Sequence, residues 1–385
     1  MILIALQMLV GDRGKYMAMI IGITFASLIM TQQPAIFWGL MNRTYGFMSN
    51  LELADIWVMD PTVEFIEEFK PLRDTELQRV RGVAGVAWAV PLFKGMQTAL
   101  MPDGSRKSLD LTGLDDATLI GAPRVITAGR LEDLRREDGI IVDQDAAEHR
   151  FRQTFADGTS RPLQIGDVME INDRRALVVG LAKVHPSFTT FPQAFTTYSR
   201  ALGFMPSTRR VLSYILVKAK PGVPLVDVAR ALESSTGLAA YTRQRFADMN
   251  WDYWATNTGI PINFGISVLL GFLVGAVIAG QSFLNFVRES MRAFGTLKAM
   301  GLRNATLTRM VLVQAGVVGG IGYGLGVGLS ALFGIAMRGN TALAFYLPWS
   351  LLATSAGGVL LIVGFAALFG LRKVLRLDPA TVFRS

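Results

Sequence analysis

Few residues in this 385-residue chain could do covalent or metal chemistry. Its only histidines are His149 and His185, and it has no cysteine. Neither a thiolate nucleophile nor a thiolate metal site can be built from it. Asp143, Asp145 and His149 are near enough in sequence to be drawn as a metal trio. Two carboxylates and one imidazole at this spacing are also what a solvated strand-to-helix turn carries, and that is the simpler reading. Asp115-Asp116 reads as a surface turn. No Gly-x-x-x-x-Gly-Lys-Ser/Thr phosphate loop occurs, so any ATP used must be bound by another polypeptide. No cofactor and no metal is expected.

Two patterns remain. Residues 288–303 read RESMRAFGTLKAMGLR. Arg288, Arg292 and Lys298 offer charged anchors at helical spacing, with Glu289 as the segment's one carboxylate. Ala293, Phe294, Leu297 and Met300 form an apolar face suited to a groove. Gly295 and Gly301 permit close approach or end the helix. The second pattern is Gly316, Gly320, Gly324 and Gly328, spaced every four residues, with Gly322 and Gly326 beside them. Such a stripe lets helix backbones approach closely in lipid, against another span of this chain or a second copy.

The elements that must carry these patterns follow from charge and hydropathy. The chain is 51% hydrophobic with a mean hydropathy of +0.37, too apolar for an ordinary soluble enzyme. No charge lies between Lys15 and Arg43, Asp252 and Arg288, Arg309 and Arg338, or Arg338 and Arg372. Each run exceeds the roughly 20 residues that cross a hydrocarbon core as a helix. Transmembrane helices are expected at 15–43, 261–287, 308–337 and 347–371. The apolar stretch 2–10 is too short to cross and stops at Gly11-Asp12-Arg13-Gly14; residues 1–14 read as a cytosolic interfacial helix. Gln32-Gln33-Pro34 is a poor cleavage context, which favours an uncleaved first span over a signal peptide.

The net charge of +8 divides unevenly. Residues 44–260 carry 25 basic and 27 acidic side chains, and the remainder carries 13 basic and 3 acidic. All but Arg43 and Arg338 of those 13 fall on one side of the expected membrane. That is the positive-inside bias, which puts both termini, the loop 288–307 and the tail 372–385 in the cytosol. The high pI therefore reports topology, and no nucleic-acid partner is expected.

Residues 44–260 read as one extracytoplasmic α/β domain. Strands are expected at 55–59, 85–93, 212–218 and 238–242, with helices at 72–81 and 224–235, the latter closing at Gly237. Two β-α-β units separated by a long insertion fit a ferredoxin-like lobe. The insert, about 106–205, is expected to be β-rich, with a turn at Pro102-Asp103-Gly104, a strand at 139–143 and a hairpin turning at Asn172-Asp173. Trp251, Tyr253 and Trp254 read as an aromatic belt where the chain returns to the membrane.

The 288–303 segment and the closing LRLDPATVFR at 375–384 resemble permease subunits of ABC transporters of the MacB/FtsX superfamily. The chain is most similar to the DevC-like branch, through Asp12-Arg13, the stretch Gly22-Ile23-Thr24-Phe25-Ala26 and Trp251–Trp254. It departs from the usual loop in having fewer acidic residues. The resemblance implies a non-catalytic membrane subunit of the bacterial inner membrane, whose loop docks on a separate cytosolic ABC ATPase. It further implies a homodimer driving periplasmic rearrangement, in a tripartite system with a HlyD-type adaptor and a TolC-like outer-membrane channel. The sparse charge of the spans points to a lipid, glycolipid or periplasmically loaded cargo. Two other readings are an FtsX-like regulator of a periplasmic cell-wall hydrolase and a membrane-anchored periplasmic enzyme.

Overall fold

A computed structural model describes residues 2–51, 53–155, 158–206, 211–337 and 343–375. It divides into two compact units, Met41–Thr258 and the remainder, each treated by itself below. The chain opens with α1 (Ile2–Gly11) and α2 (Arg13–Arg43). The ectodomain begins with α3 (Gly46–Asn50), β1 (Ile56–Met59), α4 (Asp74–Arg81), β2 (Val86–Leu100) and β3 (Arg106–Leu114). Next come β4 (Val125–Gly129), a 3-10 turn (Leu131–Arg135), β5 (Gly139–Asp143) and α5 (Gln144–Glu148). A small ladder of β6 (Gln153–Thr154) and β7 (Ser160–Arg161) precedes β8 (Val168–Ile171), β9 (Arg174–Lys183), β10 (Gln193–Thr197) and α6 (Tyr198–Gly203). The domain closes with β11 (Tyr214–Ala219), α7 (Leu225–Thr236), β12 (Ala239–Thr242) and α8 (Arg243–Thr256). Then follow α9 (Ile260–Glu289), α10 (Met291–Ala299), α11 (Asn304–Ala336) and α12 (Trp349–Leu375).

The four long apolar helices α2, α9, α11 and α12 are the transmembrane helices, and the mixed α/β domain lies between the first and the second. Their shared core holds Met19, Ile23, Phe283, Val311, Val318 and Ile362. Glycine sets how closely α2 is flanked. A Cβ on Gly275 of α9 would lie 2.2 Å from the Ala26 Cβ, and one on Gly326 of α11 would lie 2.5 Å from the Ser27 Cβ. Two polar side chains among the spans find backbone partners. Ser27 Oγ donates to the Tyr323 carbonyl at 3.2 Å, and Tyr323 Oη to that of Leu352 at 2.8 Å. The short helix α1 is separated from α2 by a break at Asp12 and buries Ala5 and Leu9 in the same core. Gln314 of α11 donates to the Ala5 carbonyl at 2.8 Å.

In the ectodomain the strand order β12-β1-β11-β2, antiparallel throughout, is that of a ferredoxin-like lobe. Successive side chains of a strand point to opposite faces, so β1 serves two cores. Ile56 and Val58 pack with Val80, Val228 and Leu232 of α4 and α7. Trp57 and Met59 face the other side, where Phe47, Tyr214 and Phe246 gather. The Trp57 ring lies 5.6 Å from that of Tyr214 and 5.7 Å from that of Phe246. Gly237 ends α7 at φ 74°, a left-handed cap that glycine adopts without strain.

The insert is not a separate sheet. β2 is 15 residues long; its first half pairs with β11 and its second half with β3. The sheet then continues β3-β10-β5-β9-β4, with β8 beside β2 and β9. Asn172 and Asp173, at φ 50° and 59°, make the β8–β9 turn. Two of the expected belt aromatics also make contacts within the ectodomain: Tyr253 stacks on Phe65 at 4.4 Å, and Trp254 meets Phe188 at 3.8 Å with its ring tilted by 30°.

Gly324 has no described atom of another residue near an added Cβ, whereas Gly326 has Ser27. Gly326→Ala is therefore expected to lower the melting temperature of the full chain in detergent, with an overpacking cost of about 1–3 kcal/mol. Gly280→Ala, at an equally open position on α9, should leave it unchanged; differential scanning fluorimetry of both variants checks this.

Candidate functional site

The segment 288–303 is built around one short helix. Span α9 runs to Glu289, Ser290 interrupts it, and α10 continues for nine residues. Its end is a glycine cap: Gly301 sits at φ 89°, and Leu302 N–H donates to the Leu297 carbonyl at 3.2 Å. This six-to-one bond satisfies a terminal carbonyl and turns the chain into α11.

The face that α10 presents differs from the sequence expectation. Phe294 is 0% exposed and belongs to the core of the spans, and Gly295 is buried beside it. Met291, Leu297 and Leu302 pack against the same core. The apolar stripe expected to offer Phe294 to a partner thus anchors the helix to its own bundle. An amphipathic helix buries its apolar face against the nearest apolar surface, and here the spans supply one. The exposed ridge comprises Arg288, Glu289, Arg292, Ala293, Thr296 and Met300, the last 66% exposed.

The charged residues at the two ends of the segment are tied to other helices. Lys15, at the start of α2, pairs with both Asp12 and Glu289. Lys298 Nζ donates to the Leu375 carbonyl in the last turn of α12 at 3.2 Å, a cation placed where a helix C-terminus favours one. The tail motif from residue 376 onward, with Arg376 and Arg384, lies outside the described residues, as does Arg338.

The glycine stripe is on one face of α11, and that face is exposed. Gly316, Gly320, Gly324 and Gly328 each have no described atom within 4 Å of an added Cβ. Packing within this chain falls instead to Gly319, Gly322, Gly326 and Gly334.

Among the described residues no three His, Cys, Asp or Glu side chains are grouped to hold a metal. Asp143 caps α5, accepting from the Asp145 N–H at 3.2 Å, and burial with the Asp145 charge pushes its carboxyl up to about 7. Sequence reasoning missed a charged cluster inside the ectodomain. Lys94 of β2 and Asp110 of β3 form a buried ion pair, and Lys94 Nζ lies 4.8 Å from the centre of the Phe47 ring. The one signal was a lone charge inside an apolar strand in each case, as in PLFKGM and SLDLTG.

A family model described as MacB-like periplasmic core domain matches residues 17–235, and one described as FtsX-like permease C-terminal matches 265–379. The macrolide export ATP-binding/permease protein MacB of Hyphomonas neptunium is 32% identical over 132 residues, 34% of this chain and 20% of that protein. The protein of the same name from Shewanella oneidensis is 26% identical over 267 residues, 66% of this chain and 40% of that protein. The chain thus spans two fifths or less of the length of these relatives. Among solved structures, the periplasmic region of MacB from Actinobacillus actinomycetemcomitans aligns at 12% identity and TM-score 0.38, over 55% of this chain and 97% of that one. The extracellular domain of the noncanonic ABC-type transporter YknZ from Gram-positive bacteria aligns at 15% identity and TM-score 0.34, over 50% and 99%.

With Phe294 in the core and Met300 outside it, the two side chains should differ in what they hold together. Phe294→Ala is expected to cost about 3–5 kcal/mol, the usual penalty for a large-to-small change in a core. Met300→Ala should cost little, and thermal unfolding of both variants in detergent distinguishes them.

Proposed function

This chain belongs to the MacB/FtsX superfamily of permeases, and from that premise we propose that it couples an ABC ATPase, not part of this sequence, to export across the bacterial inner membrane. The observation that carries the coupling role is the ridge from Arg288 to Met300. It is solvent-facing, cationic and apolar by turns, and fixed to the bundle by a buried phenylalanine. A docking surface needs such rigidity, because a partner's push on a loosely held helix would be spent on local movement. On this reading both termini and the ridge are cytosolic, as the distribution of basic residues favours.

ATP-driven movement of the ridge would pass to the spans through Phe294 and reach the periplasmic domain as a rearrangement, with no chemistry performed by this chain. We extend the proposal to a homodimer joined through Gly316, Gly320, Gly324 and Gly328. In lipid a flat glycine face gains from close backbone contact, and no span of this chain supplies it among the described residues. A HlyD-type adaptor and a TolC-like channel would complete the path, as in DevC-like systems. The spans carry no charge along their apolar runs, which favours a lipid-like or periplasmically loaded cargo over a polar one crossing the bundle.

Arg292→Glu and Met300→Asp, both exposed, are expected to reduce ATPase co-purification and export by about tenfold, which is about 1.4 kcal/mol of docking energy, without lowering the melting temperature. Unchanged co-purification would remove the ridge from the coupling path. Capture of a cell-wall hydrolase in place of an adaptor would turn the reading from export to regulation. For the dimer, Gly324→Cys in this cysteine-free chain should cross-link to a second copy in oxidised membranes, and Gly326→Cys should not. Equal cross-linking at both positions would rule out the stripe as the contact.

A further inference from the structure

The ectodomain encloses a carboxylate for which coupling and export have no use. Glu67 lies on the loop between β1 and α4. Both of its carboxylate oxygens are buried, and among the described residues none donates a hydrogen bond to them from another side chain or backbone. The neighbours that bear on it come from three strands. β2 brings Lys94, β3 brings Asp110, and β11 brings Tyr214, whose phenol burial holds well above its ordinary value. On its own loop the charges are Asp60, Glu64, Arg73 and the half-buried Glu68–Lys70 pair. From α8 and α3 the loop and the pair meet Asn250, Tyr253 and Phe47, none of them charged.

One cation therefore stands between two carboxylates. Lys94 is already engaged by Asp110, with side chains 4% and 7% exposed. If Glu67 is ionised, the cluster carries a net negative charge; if Glu67 is protonated, the cluster is neutral. An uncompensated buried charge is among the costlier features a fold can hold. Burial outweighs the pull of Lys94, and the Glu67 carboxyl is pushed up to about 7.

The residues beside Glu67 fasten this loop to α8, the helix that precedes the second span in the chain. Tyr214 Oη donates to the Ile66 carbonyl at 2.8 Å, and Ile66 N–H donates to Asn250 Oδ1 at 2.8 Å. Phe65 stacks on Tyr253 at 4.4 Å and meets Trp254 edge-on at 5.5 Å. We propose that Glu67 is a proton-binding switch of the ectodomain: protonated, it leaves the loop seated on α8, and ionised, it sets a second anion against the Lys94–Asp110 pair and releases the loop. The direction follows from linkage. A carboxyl whose value is raised in the seated state, above about 4.3 in the released one, stabilises that state fully at low pH. The stabilisation is lost as pH rises from about 4.3 towards 7 and stays lost above it.

Hydrogen exchange of the full chain in nanodiscs, resolved by peptide and corrected for intrinsic rate, reads the loop directly. Protection of residues 60–73 should fall by about thirtyfold between pH 5.5 and 8, most of the loss coming below about pH 7 and little above it. Glu67→Gln should keep the loop protected at every pH. Asp143 also titrates near 7, at the start of α5 in the insert, so Asp143→Asn should leave the 60–73 transition in place. Should Glu67→Gln fail to fold, Asp110→Asn offers a second test, because freeing Lys94 for Glu67 should move the transition to lower pH. A loop whose protection ignores pH in the wild type, or a transition that survives in Glu67→Gln or stays put in Asp110→Asn, overturns the proposal.

Discussion

Hydrocarbon accepts neither an unpaired peptide group nor a bare charge, and the organisation of this chain follows from that exclusion. Four uncharged runs become helices that satisfy their own backbones. Once helical, they gain little from burying leucine against leucine, since lipid is as apolar as either, and association depends on how near two backbones can come. Gly275 and Gly326 are where α2 is approached most closely from either flank. The same exclusion leaves basic residues at the helix ends, where α9 hands over to α10, and so sets a cationic ridge beside an apolar bundle. On the proposed reading, docking and membrane topology would share these side chains.

The ectodomain solves a different problem with the same economy of means. With no cysteine to staple it, a domain of this size must bury enough apolar surface on its own. It does so by running one strand through two lobes. Because β2 pairs with β11 and then with β3, the ferredoxin-like lobe and the insert share a sheet. Trp57 anchors one core, and Phe93, at the crossover on β2, belongs to another. A strand is stiff along its length, so the lobes are joined by more than a loop.

What the residues disclosed, and what they did not, follows from which forces are local. The spans, the β-α-β repeats and the Asn172-Asp173 turn were legible because hydropathy, period and backbone preference each act within a few residues. The outward face of α10 was not. Ala293, Phe294, Leu297 and Met300 show an apolar pattern, but the pattern does not say which neighbour it meets, and Phe294 went into the bundle. The glycine stripe was legible as a register and illegible as a contact, since the glycines at 319, 322, 326 and 334 look the same in sequence. Glu67 gave no local sign at all. Its environment is made by Lys94, Asp110 and Tyr214, which are brought together only by the sheet.

Two charged clusters among the described residues differ in what they could transmit. Lys15, Asp12 and Glu289 are partly exposed, and an ion pair in that setting is worth about 0–1 kcal/mol, too little to carry a mechanical step. In the proposed coupling, movement of α10 would therefore pass through packing, and Phe294 is its one fully buried large side chain. In the ectodomain the balance is reversed. There the charges are buried, the nearby core is tightly filled, and adding or removing one proton changes the net charge of the cluster from zero to minus one. Packing is the stronger lever where charges are wet, and charge is the stronger lever where packing has already shut water out.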